Sequence, residues 1–503
     1  MITERFLCES LILDDHNTIS MKKFFKFLGL ALLLFIAFIL IRTFTSTSQQ
    51  LKVASIEKID IPDAAIARLS DALRIKTISH EDSADFDSSA FESFNQLLSN
   101  NYPLIATTLD RKIFNRYSHL YTWHGTDDSL KPIVLMGHID VVPIASPDQW
   151  TQDPFGGVVK DGIIWGRGTI DDKFSVIGIL ESIEMLLAEN HQPERTIYLA
   201  FGHDEEVGGE LGAVAIARHL ADQGVEAEFV LDEGYAITQK LVPGVDPDLA
   251  FIGVAEKGST TIELTVELAG GHSSQPASET AIDILAKGVA ALKDNPMEAT
   301  ISEAMHGFMD QVGPELGFVN RMAFANRGIF KPIIVSTYES ASGAGNALVR
   351  TTTAPTIFEA GIKENVIPYN ARAVVNFRII PGQTADDVME HVVSTINDER
   401  VKAKFMGFNS NPSPVSPMDS EGYNIINKTL KQTFEGVLTA PNLVIAATDS
   451  RHFTGVSKNI YRFVPYHIND DNIQSFHGID ERIPVADYKD AIRFYRQLIL
   501  NAN

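Results

Sequence analysis

Three clusters of histidine and carboxylate residues each follow an apolar, strand-like segment of the sequence. The clusters occupy residues 137–140, 166–173 and 202–206. In open α/β sheets, ligands gather beyond the carboxyl ends of the strands. A mixture of imidazole nitrogen and carboxylate oxygen suits zinc, and cobalt or manganese can take its place. The sequence therefore predicts a metal site built from these three segments.

The first cluster contains a His-x-Asp pair, His138 and Asp140, at the end of a predicted strand. Side chains at positions i and i+2 of a strand face the same side. His138 can therefore bind a metal while Asp140 accepts a hydrogen bond from the other ring nitrogen. A single pair of this kind is more often part of a polar loop, but the other two clusters repeat the chemistry and favour a metal site.

The second cluster contains two adjacent acids, Asp171 and Asp172, which follow a Gly-Arg-Gly sequence and open a predicted helix at 173–190. One of these carboxylates could bridge two metal ions, and a helix N-terminus favours negative charge. The alternative is helix capping, for which aspartate is well suited. Both interpretations hold if each aspartate takes one role.

The third cluster ends in Glu205 and Glu206, whose adjacent carboxylates repel each other unless a cation lies nearby. One would bind metal, and the other would act as general base toward a water whose pKa the metal lowers to roughly 7. The alternative is a solvated acidic turn. Asp232 and Glu233 close the next strand-like segment, and either could supply a further acidic ligand.

The elements around these clusters predict an α/β fold, in which strands and helices alternate to form a mostly parallel sheet with flanking helices. At Glu256 the pattern changes, and residues 260–268 alternate between apolar and polar, as in a sheet with one wet face. We therefore predict a catalytic domain of residues 53–256 and 410–503, interrupted by an inserted α+β domain of residues 257–409.

Two smaller predictions concern the inserted domain. Residues 384–397 form a predicted helix capped by Thr384, whereas residues 296–344 show a less regular pattern.

Composition limits the classes of partner and of ligand. The chain has 503 residues, of which 45% are hydrophobic and 21% charged, as expected for a folded protein with more than one domain. Its net charge of −23 excludes nucleic acid as a partner, because nucleic-acid binding needs a basic surface. Cys8 is the only cysteine and precedes the predicted domains, so the metal ligands are not thiolates.

Residues 1–52 form an N-terminal extension with an apolar segment at 24–41, followed by a polar linker. The uncharged stretch is slightly shorter than the roughly 20 residues that a membrane-spanning helix needs. The sequence after it is a poor cleavage site, which favours an uncleaved anchor over a secretory signal. The lysines before the apolar segment predict a cytoplasmic N-terminus and a catalytic body outside the cytoplasm.

Taken together, these motifs resemble those of the di-zinc exopeptidase and deacylase family that includes aminoacylase, carboxypeptidase G, succinyl-diaminopimelate desuccinylase and carboxypeptidase S. The likeness runs from about residue 60 to 503 and is greatest for the carboxypeptidase S branch, whose relatives hydrolyse or form N-acyl amino acids. The motifs that carry this likeness are at 202–206, 230–234, 271–274 and 448–453.

The resemblance implies two zinc ions, with Asp171 bridging them. The ligands that it implies are His138, Asp171, Glu206, His477 and one of Asp232 and Glu233. It also implies that Asp140 orients His138, that Glu205 is the general base, and that the peptide bond between Asp171 and Asp172 is cis.

The inserted domain resembles the lid and dimerisation domain of the same family, which implies a homodimer. By this resemblance His272 stabilises the oxyanion, reaching the site from the other subunit, while Asn365 and Arg378 bind substrate. Arg451 resembles a residue that binds a free carboxylate, a task suited to guanidinium, although a surface ion pair is the alternative.

The implied activity is zinc-dependent hydrolysis of an amide bond next to a free carboxylate, with short peptides or N-acyl amino acids as substrates. Deacylation of a biosynthetic N-acyl amino acid is an alternative, and a binding module without catalysis is another.

Overall fold

The computed structural model describes residues 15–341 and 343–503. Its α-helices are α1 (Asp15–Thr45), α2 (Asp63–Leu73), α3 (Ser88–Asn101), α4 (Pro103–Thr108), α5 (Lys173–Ala188), α6 (Ala213–Asp222), α7 (Ala281–Asp294), α8 (Glu303–Val312), α9 (Phe318–Ala325), α10 (Arg327–Ser340), α11 (Gly343–Val349), α12 (Ala385–Ile396), α13 (Glu421–Thr433) and α14 (Val485–Asn501).

The strands are β1 (Asp110–Phe114), β2 (Ser118–Trp123), β3 (Ile133–His138), β4 (Val158–Lys160), β5 (Ile163–Trp165), β6 (Ile197–Gly202), β7 (Phe229–Asp232), β8 (Ile237–Thr238), β9 (Leu249–Glu256), β10 (Gly258–Glu267), β11 (Gly271–His272), β12 (Thr352–Ala360), β13 (Val366–Ile367), β14 (Asn370–Ile379), β15 (Val401–Ser410), β16 (Leu438–Val444), β17 (Ile460–Arg462), β18 (His467–Ile468) and β19 (Arg482–Pro484).

The largest sheet has the order β1-β2-β6-β3-β7-β17-β9-β8-β18, with β16 paired to β9. Strand β3 lies between β6 and β7 and is parallel to both. Every residue of β3 is buried, which explains its continuous apolar sequence, because helices cover both faces of a parallel sheet. Helices α5 and α14 contribute to the core on one face and α6 to the core on the other. The predicted α/β fold with a mostly parallel sheet is confirmed.

A second sheet is antiparallel and has the order β12-β14-β10-β15. Helices α7 and α12 pack on it and share a separate hydrophobic core with its strands. The alternation seen in β10 follows from this arrangement, because only one face of the sheet is covered. Thr384 caps α12 as predicted, since its hydroxyl accepts a hydrogen bond from the Asp387 amide at 3.2 Å.

The region 296–344, whose sequence pattern is less regular, contains the successive helices α8, α9 and α10 and the start of α11. Glycines separate some of these short helices, and Pro332 lies inside α10, so no long helical period develops in the sequence. Helix α8 packs on the large sheet, where the rings of Phe251 and Phe308 lie 5.9 Å apart.

Helix α1 contains the predicted apolar segment. Its part Lys23–Thr45 is long and apolar enough to cross a membrane, by length and composition only. The end of α1 packs on α9, and Thr43 is fully buried there. The side-chain amide of Asn326 donates hydrogen bonds to the Ile39 carbonyl and to the Thr43 hydroxyl, each at 3.2 Å. Residues 1–14, which include Cys8, lie outside the described part of the chain.

Candidate metal centre

Asp140 connects the ends of the neighbouring strands β3 and β6. Its carboxylate is fully buried, and Oδ1 lies 3.3 Å from Nδ1 of His138, the last residue of β3. The Ser79 hydroxyl donates to Asp140 at 2.6 Å. The backbone amides of Glu205 and Glu206 donate to the same carboxylate at 3.2 and 3.1 Å. Asp140 therefore fixes the orientation of His138 and the position of the Glu205-Glu206 pair together.

Asp171 lies between two imidazole rings. Its Oδ1 is 2.9 Å from Nε2 of His138, and its Oδ2 is 2.7 Å from Nε2 of His477. The peptide bond from Asp171 to Asp172 is cis. Asp172 occupies the N-cap position of α5 but makes no capping hydrogen bond, and it accepts one from the His138 amide at 3.3 Å instead. A Cβ atom on Gly137 would lie 2.8 Å from this carboxylate, which explains the glycine.

The potential ligand atoms form two groups that share Asp171. One group is His138, Asp171 and Glu233, and the other is Asp171, Glu206 and His477; within each, the ligand atoms lie within 4.8 Å of one another. His477 is about half exposed, with a side-chain exposure of 49%, whereas Asp171 is buried. The site is therefore open to solvent on the His477 side. This is the geometry expected if the Asp171 carboxylate bridges two cations.

The structure brings Glu233, rather than Asp232, to this cluster. Glu233 Oε1 lies 3.4 Å from Nε2 of His138. Asp232 accepts a hydrogen bond from the Ser450 amide at 2.8 Å, so it holds the segment that carries Arg451.

The electrostatics of the cluster fit a cation. Burial raises the pKa of Glu205, Glu206 and Glu233, and nearby carboxylates raise each of them further. Hydrogen bonds to Asp171 and Glu206 raise the pKa of His477 to about 10. Glu206 Oε1 is buried and has no hydrogen-bond partner among the described residues, as expected for an oxygen directed at a metal. Clustered acids need positive charge nearby, which a divalent cation supplies, and the His, Asp and Glu donor set suits zinc.

His272 is the last residue of β11, and Asn365 directly precedes β13, the strand that pairs with β11. The Ser273 amide donates to the Asn365 carbonyl at 3.1 Å, and the Ser274 amide donates to Nδ1 of His272 at the same distance. His272 is exposed. In the described part of the chain, no hydrogen bond or ion pair joins either residue to the metal cluster. Their roles stay predictions.

Arg378 belongs to β14 and Arg451 to the segment after β16. Burial lowers the pKa of Arg378, and the positive charge of Arg451 lowers it further. Arg451 also donates to the carbonyl of Gly208 at 3.3 Å, which places it beside the loop that carries Glu206. Guanidinium groups suit an anion such as a carboxylate, and this role of Arg378 and Arg451 stays a prediction.

Sequence reasoning did not identify the buried ion pair between Arg167 and Glu481. Its nearest atoms are 2.6 Å apart, and neither side chain is more than 2% exposed. Glu481 also accepts hydrogen bonds from the amides of Gly168 and Ile170, each at 2.9 Å, while Arg167 donates to the His477 carbonyl at 3.3 Å. The pair thus connects the loop before Asp171 to the loop of His477. The sequence shows both residues as charged positions close to predicted metal ligands, but it does not show that they pair.

Comparisons with known proteins agree with this geometry. The family described as Peptidase family M20/M25/M40 matches residues 134–501. The probable carboxypeptidase S-like 2 of Dictyostelium discoideum is 43% identical over 467 residues, covering 91% of this chain and 90% of that protein. The N-fatty-acyl-amino acid synthase/hydrolase of Homo sapiens is 39% identical over 441 residues, covering 86% of this chain and 87% of that protein.

Among solved structures, the M20 family metallo-carboxypeptidase of Sulfolobus solfataricus has a TM-score of 0.64 at 19% identity, covering 88% of this chain and 99% of that one. At this identity the similarity shows the fold alone. The family match covers most of the chain and includes every residue of the two metal groups. The predicted family is therefore confirmed: the chain belongs to peptidase family M20/M25/M40 and is a metal-dependent hydrolase of amide bonds.

Proposed function

We propose that the chain is a two-zinc hydrolase that cleaves the amide bond next to a free carboxylate, in short peptides or in N-acyl amino acids. The observation that carries this proposal is the pair of ligand groups that share Asp171. The relatives named carboxypeptidase S-like and N-fatty-acyl-amino acid synthase/hydrolase support the two substrate classes. Deacylation of a biosynthetic N-acyl amino acid is the alternative, and the proposed location outside the cytoplasm argues against it.

His138 and Glu233 would hold one zinc ion, Glu206 and His477 the other, and Asp171 would bind both. Cobalt or manganese fits the same oxygen and nitrogen donors. When bound, the cations supply Lewis acidity, which polarises a carbonyl and acidifies water.

Glu205 would act as the general base. Its backbone amide is fixed by Asp140, and its carboxylate interacts electrostatically with Glu206 and Glu233 of the metal cluster. In this role the Glu205 carboxylate takes a proton from the attacking water and delivers it to the leaving amine.

Arg451 and Arg378 would bind the free carboxylate of the substrate. His272 would stabilise the oxyanion and Asn365 would bind substrate, both from an inserted domain at residues 257–409 that also forms a homodimer. The catalytic domain would consist of residues 53–256 and 410–503.

Helix α1 would anchor the protein in a membrane, with the catalytic body outside the cytoplasm. A cleaved signal would need no contact with the folded body, whereas Thr43 is buried against it and accepts a hydrogen bond from Asn326. These contacts support the anchor over the cleaved signal.

The proposal is tested by product analysis on dipeptides and N-fatty-acyl amino acids, each with a free or an amidated carboxylate, with and without chelator. We expect chelation to abolish hydrolysis and amidation to lower kcat/KM by roughly 10- to 100-fold, the contribution of a hydrogen-bonded charge. Arg451→Gln should reduce the preference for the free acid, while Arg116→Gln, at a mostly exposed ion pair, should not. Equal hydrolysis of free and amidated substrates by the unmodified protein would refute the proposed carboxylate site.

A further inference from the structure

Helices α9 and α10 expose several large apolar side chains to solvent. We use the name apolar rim for Phe318, Val319, Ile329 and Ile333. Each of these side chains is between 40% and 69% exposed. Groups of exposed apolar residues on a protein surface commonly mark a contact with another molecule or a membrane.

The apolar rim adjoins the docked end of α1. The rings of Phe318 and Phe44 lie 5.9 Å apart, and Arg321 donates a hydrogen bond to the Ser46 carbonyl at the end of α1. Asn326, between α9 and α10, bonds to α1 at Ile39. Helix α9 and the start of α10 therefore adjoin the end of α1, from Ser46 back to Ile39.

The length of α1 determines how deep this contact would lie in a bilayer. The 23 residues of Lys23–Thr45 span about 34 Å, slightly more than the roughly 30 Å of a hydrocarbon core. Ile39 lies about 9 Å before the end of that span. If α1 crosses a bilayer with this span centred on the hydrocarbon core, Asn326 therefore lies level with the outer acyl chains, roughly 7 Å below their boundary, rather than in bulk water.

The exposed side chains of α10 become polar with distance from Asn326, as expected if only the part of α10 near α1 meets lipid. Ile329 lies about 4.5 Å along the helix from Asn326, and Ile333 follows one turn later. Lys331 is exposed between these two isoleucines, and farther along the exposed positions are all polar: Ser336, Thr337, Glu339 and Ser340. The large exposed apolar side chains of α10 are thus confined to its part nearest to Asn326. An interfacial element typically places its apolar side chains at the boundary of the acyl chains in this way.

We propose that the apolar rim contacts the outer leaflet of the bilayer that holds α1. This inference rests on the proposed membrane anchor. It adds a second attachment, which fixes the orientation of the catalytic body relative to the membrane instead of leaving it free on a linker.

The test uses the full chain in phosphatidylcholine vesicles. In a Cys8→Ser background, the variants Val319→Cys and Ile333→Cys are labelled with a fluorophore whose emission depends on polarity. Ile362→Cys provides a matched exposed control, since Ile362 is apolar, 94% exposed and lies outside α9 and α10. Leu33→Cys, in the middle of the apolar part of α1, reports on the anchor. All four substitutions lie at exposed positions, so folding should be preserved.

We expect emission at positions 319 and 333 to shift to shorter wavelength and to be quenched by lipids that carry a quencher on the acyl chain. Position 362 should show neither effect, and position 33 should show both. If position 33 reports lipid while positions 319 and 333 behave like position 362, the anchor is correct and the proposed contact is wrong. If position 33 also reports water, the anchor itself is wrong, and the inference fails with it.

A second copy of the chain could also cover the apolar rim. In that case, labels at positions 319 and 333 would report an apolar surrounding without quenching by the lipids, and energy transfer between labelled copies would increase. That result would overturn the proposal.

Discussion

The buried Arg167–Glu481 pair makes a sharp test of how the metal residues are positioned. Replacing Glu481 with glutamine preserves the shape of the side chain and removes its charge. The guanidinium of Arg167 then stays buried without its counterion, enclosed on another side by the ring of Trp150 at 5.4 Å. Breaking one partner of a buried pair costs about 3–5 kcal/mol. Because folded proteins are stable by about 5–15 kcal/mol, we expect a folded but clearly destabilised protein.

The effect should reach the metal site through hydrogen bonds. Glu481 accepts from the amides of Gly168 and Ile170, and Arg167 donates to the carbonyl of His477. Movement of the unpaired arginine would release the His477 loop. Loss of a residue that orients a metal ligand typically weakens metal binding by about 10- to 100-fold. Zinc affinity, measured by competition with a chromophoric chelator, should therefore fall for the His477 site, and kcat/KM should fall with it.

Two controls separate positioning from general damage. Glu92→Gln breaks the exposed pair of Glu92 and Arg116 and should change the free energy of unfolding by less than about 1 kcal/mol. The double variant Arg167→Met/Glu481→Leu removes both buried charges, so it should regain much of the stability in urea denaturation while zinc affinity stays low. If Glu481→Gln binds zinc as tightly as the unmodified protein and turns over equally fast, the Arg167–Glu481 pair does not position the metal ligands.

Three further predictions follow from other contacts. Glu205→Gln should lower kcat by about 10²- to 10⁴-fold while the zinc content measured by atomic absorption stays unchanged; loss of zinc would instead make Glu205 a ligand. Asp140→Asn should weaken zinc binding by about 10- to 100-fold in the same chelator competition, because His138 and the Glu205-Glu206 amides lose their shared charged acceptor.

His119 should make stability depend on pH. Burial, reinforced by Arg111, lowers its pKa from 6.5 to about 3. The unfolded chain therefore binds one more proton between these values, so stability falls by about 1.4 kcal/mol for each pH unit on acidification in that window. His119→Gln can keep the hydrogen bonds to Arg111 and Asn95, and urea denaturation should show a correspondingly smaller slope.

The sequence was sufficient to predict the fold class and the clusters at strand ends, because both depend on local patterns. His138, Asp171 and Glu206 each follow a short segment whose type can be identified from a few residues. The choice between Asp232 and Glu233 was not local. Adjacent residues at a strand end point in different directions, and which of them faces the site depends on where β7 ends and how the chain turns at Gly234, whose φ is 138°.

Pairings across long separations were also not predictable. Arg167 and Glu481 are separated by 314 residues, and each alone resembles a solvated charge in a loop. Helices α8 to α11 were missed for another reason. They are short, some follow glycines, and they are stabilised by packing on the large sheet and on α1 rather than by a long periodic sequence.

The motifs contain more acids than the two proposed metal ions need, and the structure shows what the additional acids contact. Asp140, Asp232 and Glu481 are buried carboxylates that each accept backbone amide hydrogen bonds from a segment distant in sequence. Asp140 holds the Glu205-Glu206 turn, Asp232 holds the segment of Arg451, and Glu481 holds the loop before Asp171. Ligands held in place through their backbones in this way lose little conformational freedom when a cation binds, which favours binding. A substitution at any of these three acids should therefore affect metal or substrate affinity although none of them need contact either.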